Sequence, residues 1–483
     1  MDQNQKHIAR NYIYNTCYQI LVLVAPLVTT PYISRVLGAS GIGIYNYAQS
    51  IATYFIYVGA VGTTIYGQRE IAYAQNDQKK RSEIFWEIAT IKFVAVTFCA
   101  VIYFLFFCKG GEYSSVYRIL ILEVFASMFD ISWFFMGMEN FKVTVIRNTI
   151  IKLIGIILIF TFVKSSDDVI VYTLCLTLPI FIGNISLWFS LPRYLTKVRI
   201  HTQGVIRNIR PALILFLPQL AIEVYAVLDK TMLGALASDI REVGYYSQAS
   251  RIIKILLALV TSLGTVMLPA MSSAYAHGQK DVITTSIKKS FRFVYMLGFA
   301  LMFGGCSIAS NFVPIFFGAG YDRVIILIVM ISPIIVIIAT SNVIGKQYLL
   351  PTSQEKYYTI SVVTGAMMNI VLNVILIARF DAVGASIATV FAELTVTSIQ
   401  AFVVRKQLNI SKCLLPAIKY FICGSIMCAA VYLLGAALGE GVKVLIIQIF
   451  AGVIVYALEL LLTRDSMFFE GINIILKKIR KRG

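Results

Sequence analysis

Two basic residues, Arg251 and Lys254, lie inside an apolar stretch that is long enough to cross a lipid bilayer. The stretch runs from Gly244 to Leu268, and a crossing takes roughly 20 apolar residues. Each charge near the bilayer centre costs about 2.5–3.5 kcal/mol on insertion scales. At a spacing of i, i+3 the two side chains share one helix face. Such a face is tolerable only against a partner or a water-filled cavity, which indicates a transport pathway.

Further charged residues lie inside other apolar stretches of the chain. They are Lys92, Glu123, Asp130, Glu223, Asp229, Lys230, Glu393 and Glu459. Arg35 and Arg118 would add positive charge at one mouth of the pathway. For any one of these residues, an ion pair within the protein is as good an interpretation as a contact with substrate. Taken as a set, they favour a polar cavity between helix bundles.

The composition places these residues in a membrane protein that crosses the bilayer many times. Hydrophobic residues make up 58% and charged residues 14% of the 483 residues, and mean hydropathy is +0.80. A soluble domain has about 25% charged residues. We predict an all-α integral membrane fold of about fourteen transmembrane helices. The predicted segments are 11–34, 42–66, 84–108, 117–137, 145–163, 169–191, 211–235, 244–272, 289–313, 323–345, 358–377, 383–403, 417–438 and 444–463.

The basic residues predict the orientation, because cytoplasmic loops retain Lys and Arg. Most of the 42 Lys and Arg residues fall in alternate loops and in the two tails, so both termini are predicted to be cytoplasmic. The net charge of +18 is then a topology signal, and no nucleic-acid partner is expected. The eight cysteines and three histidines show no metal-ligand or disulfide spacing. Neither a metal nor another cofactor is expected.

An internal repeat predicts how the helices are arranged. VLGASGIGIYNYAQS (36–50) resembles MLGALASDIREVGYYSQAS (232–250): after a short insertion, Gly43, Tyr45 and Ala48 match Gly244, Tyr246 and Ala249. Six predicted helices separate the copies, so both halves face the same way and are related by a pseudo-twofold axis along the membrane normal. We predict six-helix bundles at 1–200 and 201–408, followed by two helices and a basic tail at 409–483.

Several motifs in the chain resemble those of a known transporter family. The opening SRVLGASGIGIYNYAQS (34–50) and the motifs LDKTMLGAL (228–236), VGYYSQASRIIK (243–254) and QYLLPTSQEKYY (347–358) are similar to those of bacterial polysaccharide repeat-unit flippases. These are the Wzx-type and teichoic acid branch of the MATE-like MOP exporter superfamily. The resemblance implies alternating access between two bundles. It also implies a substrate carried on undecaprenyl pyrophosphate, moved from the inner to the outer leaflet of a bacterial plasma membrane.

The resemblance, together with the intramembrane charges, gives a predicted site. The predicted substrate-binding residues are Arg35, Lys92, Asp130, Glu223, Asp229, Lys230, Arg251 and Lys254. Coupling to Na⁺ or H⁺ is open, and the carboxylates of Asp130, Glu223 and Glu393 are the candidates for it. Expected partners are the lipid-linked oligosaccharide, membrane lipids and other polysaccharide assembly proteins.

Three other functions compete with this prediction. A cation-coupled multidrug exporter of the same superfamily would use the acidic residues, and a lipid II flippase is a close variant. A membrane glycosyltransferase or polymerase would need catalytic acids or a large outer loop. The predicted outer breaks are short, the Asp167–Asp168 pair has no neighbouring base, and no phosphate-binding glycine loop is present. We therefore predict that the protein is not an enzyme and has no catalytic residues.

Overall fold

The regular structure of this chain is helical throughout the part that a computed structural model describes. The main chain is described for residues 3–480, and side chains for residues 14, 16–216, 220, 223–225, 227–262, 264 and 267–473. The α-helices in chain order are α1 Gln3–Ala60, α2 Thr63–Tyr73, α3 Gln78–Tyr103, α4 Ser114–Phe129, α5 Ser132–Gly137, α6 Phe141–Phe162, α7 Val169–Ser186, α8 Thr202–Leu236, α9 Arg241–Ala276, α10 Lys280–Phe317, α11 Asp322–Ile331, α12 Ile334–Ile344, α13 Glu355–Val404, α14 Ile410–Leu414, α15 Pro416–Leu438, α16 Val442–Leu462 and α17 Ser466–Arg480.

Eleven helical stretches among the described residues are long and apolar enough to cross a membrane. Two of them, Thr16–Tyr73 and Glu355–Val404, have 58 and 50 residues. At 1.5 Å per residue, even 50 residues extend about 75 Å, more than twice the thickness of the hydrocarbon layer. Each also contains a residue with non-helical backbone: Gly38 in the first stretch and Asp381 in the second. Each stretch covers the greater part of two predicted segments. The all-α multi-pass fold is confirmed, while the exact number of fourteen helices stays a prediction.

The contacts between residues divide the chain into two compact units. Unit 1 comprises residues 1–235 and 239–244, and unit 2 comprises residues 236–238 and 245–483. Helix α8 belongs to unit 1 by contact: Tyr66 donates a hydrogen bond to Asn208 Oδ1 at 2.6 Å. The predicted bundle boundary between residues 200 and 201 rests on the sequence repeat and not on contacts, so it stays a prediction.

Buried aromatic rings form one core of unit 1. Phe85, Trp133 and Phe134 are each at most 1% exposed, and the Phe85 and Trp133 rings stack at 5.5 Å between centroids. Trp188 Nε1–H donates to the main-chain oxygen of Phe129 at 2.9 Å. Together these contacts hold α3, α5 and the end of α7 around the point where α4 ends.

The two copies of the sequence repeat meet in a reciprocal contact within unit 1. A Cβ atom added at Gly43 would lie 2.1 Å from the main-chain oxygen of Ile240. A Cβ atom at Gly244 would lie 2.1 Å from the main-chain oxygen of Ala39. Ala39 and Ile240 each precede the matching glycine by four residues, so the contact is the same in both directions. Neither position has room for a side chain, so glycine is needed where each helix approaches the other main chain.

In unit 2 the polar side chains inside the helices bond to one another. Gln400 Nε2 donates to Ser361 Oγ at 3.0 Å, and Ser341 Oγ donates to Gln400 Oε1 at 3.0 Å. Asn311 Nδ2 donates to Gln448 Oε1 at 2.8 Å. Such pairs satisfy groups that would otherwise face hydrocarbon, and they connect α12 to α13 and α10 to α16.

A buried carboxylate anchors the last helix of unit 2. Asp465 is 5% exposed and accepts hydrogen bonds from Lys419 Nζ at 2.6 Å and Tyr420 OH at 2.8 Å. It also accepts the N–H groups of Met467 and Phe468 in the first turn of α17. Burial by itself raises the pKa of Asp465, but the bonds from Lys419, Phe468 and Tyr420 outweigh it and hold that pKa below its usual range.

We expect Gly43→Ala to destabilise the protein by about 1–3 kcal/mol, because the new methyl group must displace the main chain of Ile240. The matched control is Gly304→Ala in α10, where the nearest atom to the added Cβ is Met427 Cε at 3.8 Å. That variant should be neutral or more stable, because alanine favours helix over glycine by up to about 1 kcal/mol. Thermal unfolding of both detergent-purified variants provides the measurement. Equal melting temperatures would contradict the reciprocal contact.

We expect Asp465→Asn to lower stability at pH 7 by about 1–3 kcal/mol, because the charged bond to Lys419 is lost. A carboxylate with a lowered folded-state pKa contributes stability above its unfolded pKa of about 3.9. That contribution disappears as pH falls through the folded-state pKa. The stability difference between wild type and variant should therefore shrink below about pH 4. Melting curves from pH 7 to pH 3 measure it, and a constant difference would refute the role of ionised Asp465.

Candidate functional site

A cavity of about 210 Å³ in unit 1 brings together Lys92, Asp130 and Glu223, three of the eight predicted substrate-binding residues. We call it the Asp130 cavity. Its other lining residues are Ile56, Tyr57, Ala60, Gly62, Thr64, Ser127, Phe216 and Leu220. It therefore lies among α1, α2, α3, α4 and α8, where polar and apolar walls face the same space.

Lys92 is buried in α3, with 3% of its surface exposed. Its Nζ donates a hydrogen bond to the main-chain oxygen of Asp130 at 2.7 Å. That oxygen lies at the C-terminal end of α4, where the helix dipole is negative and the last carbonyl groups have no partner within the helix. The ammonium group of Lys92 therefore satisfies the end of a helix that stops inside the bilayer.

Asp130 interrupts the transmembrane stretch between α4 and α5. Its backbone is extended, with φ −72° and ψ 104°. Its carboxylate Oδ1 accepts the N–H of Ser132 at 3.0 Å and the Ser132 hydroxyl at 2.6 Å. These bonds supply a partner to the first turn of α5. About a third of the Asp130 side chain, 34%, remains exposed.

Arg147 holds the carboxylate of Asp130 from the side of α6. Arg147 Nη2 lies 3.6 Å from Asp130 Oδ1, and the Arg147 side chain is 13% exposed. Arg147 Nη1 also donates to Asn184 Oδ1 at 2.5 Å, and Asn184 Nδ2 donates to the main-chain oxygen of Ala126 at 2.7 Å. From the sequence, Arg147 is a basic residue at the flank of a segment. Its position inside an apolar helix is the only signal that it belongs to this network.

Glu223 is the second carboxylate of the Asp130 cavity. The side chain of Tyr57 on α1 lines the same cavity. One further carboxyl group belongs to Glu123 on α4, and its Oε2 is buried with no hydrogen-bond partner among the described residues. The two glutamates stand out in the sequence as charges within apolar stretches, whereas Tyr57 does not, because neutral polar residues are common in membrane helices.

The predicted residues Asp229 and Lys230 lie on a polar seam between α8 and α1. Lys230 Nζ donates to Asn46 Oδ1 at 3.0 Å. Next to it, Thr231 Oγ1 donates to Ser50 Oγ at 2.8 Å. Both Asp229 and Lys230 are half-buried. The seam thus ties the LDKTMLG motif to the first copy of the repeat.

The remaining predicted residues are not in the Asp130 cavity. Arg35 is exposed on α1 in unit 1. In unit 2, Arg251 is half-buried and Lys254 is exposed on α9, and Glu393 is half-buried on α13. The structure therefore gathers the acidic residues of unit 1 more closely than its predicted cations. The substrate and ion-coupling roles of all these residues stay predictions.

A second, more open cavity of about 720 Å³ lies at the other end of α2 and α3 in unit 1. Four of its lining residues are basic and four are acidic. They are Arg69, Lys79, Lys80, Arg207, Glu70, Asp77, Glu83 and Glu87. Glu87 is 6% exposed and accepts from Asn208 Nδ2 at 2.8 Å, and Arg69 pairs with Glu70 at 2.9 Å. The charges of opposite sign are therefore equal in number, and one observed ion pair joins two of them. Among the described residues, no group of three His, Cys, Asp or Glu side chains has the geometry of a metal site.

We expect Asp130→Asn to destabilise the protein by about 1–3 kcal/mol, because Arg147 would keep its charge without a counter-charge. The double variant Asp130→Asn with Arg147→Gln should recover most of that loss. Thermal unfolding in detergent measures both. Asp167→Asn is the matched control, since Asp167 is an exposed residue before α7. An Asp130→Asn protein as stable as the control would show that the pair contributes nothing.

Comparison with solved structures shows the fold. The chain is similar to "Lipid II flippase MurJ, inward closed conformation", with a TM-score of 0.72, 16% sequence identity and coverage of 95% of this chain and 99% of that one. It is also similar to an inward-facing multidrug resistance MATE family transporter of the MOP superfamily. That match has a TM-score of 0.57, 13% identity and coverage of 84% and 98%. At these identities the likeness concerns the fold alone, and it confirms the predicted MATE-like architecture.

Comparison with known sequences shows the family. A protein named "Putative O-antigen transporter" from Escherichia coli (strain K12) is 26% identical over 84% of this chain and 98% of its own length. One of the same name from Shigella dysenteriae is 23% identical over 77% and 93%. The model of the family described as "Polysaccharide biosynthesis protein" matches residues 8–275, more than half of the 483 residues. The chain belongs to this family of polysaccharide biosynthesis proteins.

Proposed function

We propose that this protein is a flippase for a lipid-linked oligosaccharide unit and serves the assembly of a cell-surface polysaccharide or teichoic acid. Its family is that of polysaccharide biosynthesis proteins, and the relatives it matches over most of their length are named as O-antigen transporters. Its fold is that of transporters, with a TM-score of 0.72 to a lipid II flippase. These relatives and structural neighbours are named as transporters and a flippase, which supports the expectation that the protein is not an enzyme.

The observation that carries the proposal is a polar cavity enclosed by membrane helices. Two carboxylates, one ammonium group and several hydroxyl groups line the Asp130 cavity. An oligosaccharide cannot cross hydrocarbon unaided, because its hydroxyl groups would lose their hydrogen bonds to water. A polar cavity replaces those partners during passage, while the lipid tail stays in the bilayer.

For the carrier lipid we propose undecaprenyl pyrophosphate, with Arg251 and Lys254 as the residues that meet the pyrophosphate. Arginine binds phosphate oxygens with two parallel N–H groups, and lysine supplies a point charge. Lys254 is exposed and Arg251 is half-buried on α9. We propose that the protein lies in a bacterial plasma membrane with both of its termini in the cytoplasm. There the inside-negative potential favours outward movement of an anion by about 2.3 kcal/mol per charge per 100 mV.

Coupling to Na⁺ or H⁺ through Asp130, Glu223 or Glu393 would add to this driving force. A cation-coupled multidrug exporter is the competing function, because a MATE transporter shares the fold at a TM-score of 0.57. The MurJ-type fold gives the higher score, and the family is one of polysaccharide biosynthesis. Other polysaccharide assembly proteins are the proposed partners.

Cells depleted of the protein should accumulate the complete repeat unit on its lipid carrier in the inner leaflet. Re-expression of the wild type should clear it, whereas Arg251→Ala and Lys254→Ala should clear it at least tenfold more slowly, because each loses a contact to the pyrophosphate. Extraction and mass spectrometry of the lipid-linked fraction, with labelling of the outer-leaflet sugars, give the measurement.

Lys109→Ala is the matched control, since Lys109 is exposed between α3 and α4 and outside the predicted site. All variants must reach wild-type levels in the membrane. A normal amount of lipid-linked oligosaccharide in depleted cells, together with increased sensitivity to cationic drugs, would refute the flippase function and support the multidrug exporter. Accumulation of lipid II alone would identify a cell-wall precursor flippase.

A further inference from the structure

We infer that the Asp130 cavity receives one sugar ring of the lipid-linked oligosaccharide, and that the pyrophosphate binds elsewhere. The inference rests on the proposed function and specifies which end of the substrate unit 1 recognises. It depends on the charge of the cavity wall, on its unused hydrogen-bond acceptors and on its size.

The charge of the wall disfavours an anion. One ammonium group and two carboxylates line the cavity, at Lys92, Asp130 and Glu223, while Arg147, 3.6 Å from Asp130 Oδ1, is not a lining residue and is only 13% exposed. The ammonium group donates to the main-chain oxygen of Asp130 and is 3% exposed. A pyrophosphate group would therefore meet two carboxylates of its own sign and a cation that is buried against a carbonyl group.

The free positions on the wall are mostly hydrogen-bond acceptors. Within the described part of the chain, the hydrogen bonds to the Asp130 carboxylate go to Oδ1, and Arg147 also approaches that oxygen, so Oδ2 can accept a further hydrogen bond. The Ser127 hydroxyl donates to the Val124 main-chain oxygen at 2.6 Å, which leaves its own oxygen as an acceptor. Sugar hydroxyl groups are donors, and bonds from a donor to a carboxylate are among the stronger neutral–charged pairs.

The apolar wall and the volume fit a single ring. Phe216, Leu220 and Ile56 face the same space and can cover the C–H face of a pyranose. Gly62, with φ +67°, places the main chain against Phe216: an added Cβ would lie 2.9 Å from Phe216 Cβ. The 210 Å³ cavity holds about seven water molecules at roughly 30 Å³ each. That is the scale of one sugar ring, and it is smaller than the usual pocket for a drug-sized ligand.

The test compares two lipids on the purified, full-length protein. One is undecaprenyl pyrophosphate without sugar, and the other is the carrier-linked repeat unit extracted from the depleted cells. Glu223→Gln should weaken binding of the sugar-bearing lipid about tenfold or more, and Tyr57→Phe about three- to tenfold, because each removes a hydrogen-bonding group from the cavity wall. Neither should change binding of the sugar-free lipid.

Glu459→Gln is the control, because it removes one membrane carboxylate from unit 2 and should leave both affinities unchanged. Melting temperatures of all variants are measured first. Tyr57→Phe keeps the test usable if Glu223→Gln does not fold, since it removes a single hydroxyl group. Arg251→Ala should instead weaken binding of both lipids, because both carry the pyrophosphate.

The outcomes separate this inference from the proposed function. If the wild type binds neither lipid and depleted cells accumulate none, the flippase proposal itself fails. If the wild type binds the sugar-bearing lipid and both variants bind it equally well, the sugar subsite is refuted. Tighter binding of sugar-free pyrophosphate lipid by Glu223→Gln would place the anion in this cavity and refute it too. If Glu223→Gln loses ²²Na⁺ binding while its affinity for the sugar-bearing lipid is unchanged, the Asp130 cavity is a cation site and not a sugar subsite.

Discussion

The hydrogen bond from Lys92 to the main-chain oxygen of Asp130 is the contact on which unit 1 depends. Helix α4 stops within a transmembrane stretch, and hydrocarbon offers no water to the carbonyl groups that a helix end leaves unpaired. Each such group would cost several kcal/mol. With Lys92 bonded at 2.7 Å, the chain can extend at Asp130 and restart as α5 at Ser132. The same turn directs the Asp130 carboxylate to the cavity.

A second helix break, in unit 2, also has an aspartate at the break. Asp381 has φ +50° and interrupts α13. Its carboxylate accepts the Ser238 N–H at 2.8 Å and the Ser238 hydroxyl at 3.0 Å. At both breaks an aspartate side chain accepts the N–H and hydroxyl groups of a serine. Aspartate suits these positions because a short carboxylate can bond to backbone that regular helix geometry no longer serves.

The class of fold and part of the site are predictable from the sequence for a simple physical reason. Charged residues in apolar stretches are costly, so Lys92, Asp130 and Glu223 stand out by their residue type and position alone. Arg147 does not, because it lies near a segment end where a basic residue also satisfies the topology rule. The partner of Lys92 is beyond such a prediction, since a main-chain carbonyl has no sequence signature. The predicted bundle boundary concerns which helices move together during transport, and contacts within one conformation do not test it.

Lys92 and Lys230 also show why a cation in a membrane helix is ambiguous. Lys92 donates to a carbonyl oxygen and Lys230 to the Asn46 amide oxygen, so both stabilise the protein through neutral acceptors. A transporter must bind its cargo strongly enough to admit it and weakly enough to release it, as a pore must for its ions. Hydroxyl groups on carboxylates meet that requirement better than a pyrophosphate enclosed by cations. In the proposed division of the cargo, the Asp130 cavity holds the sugar, and Lys254, which is exposed on α9, exchanges the anion with water.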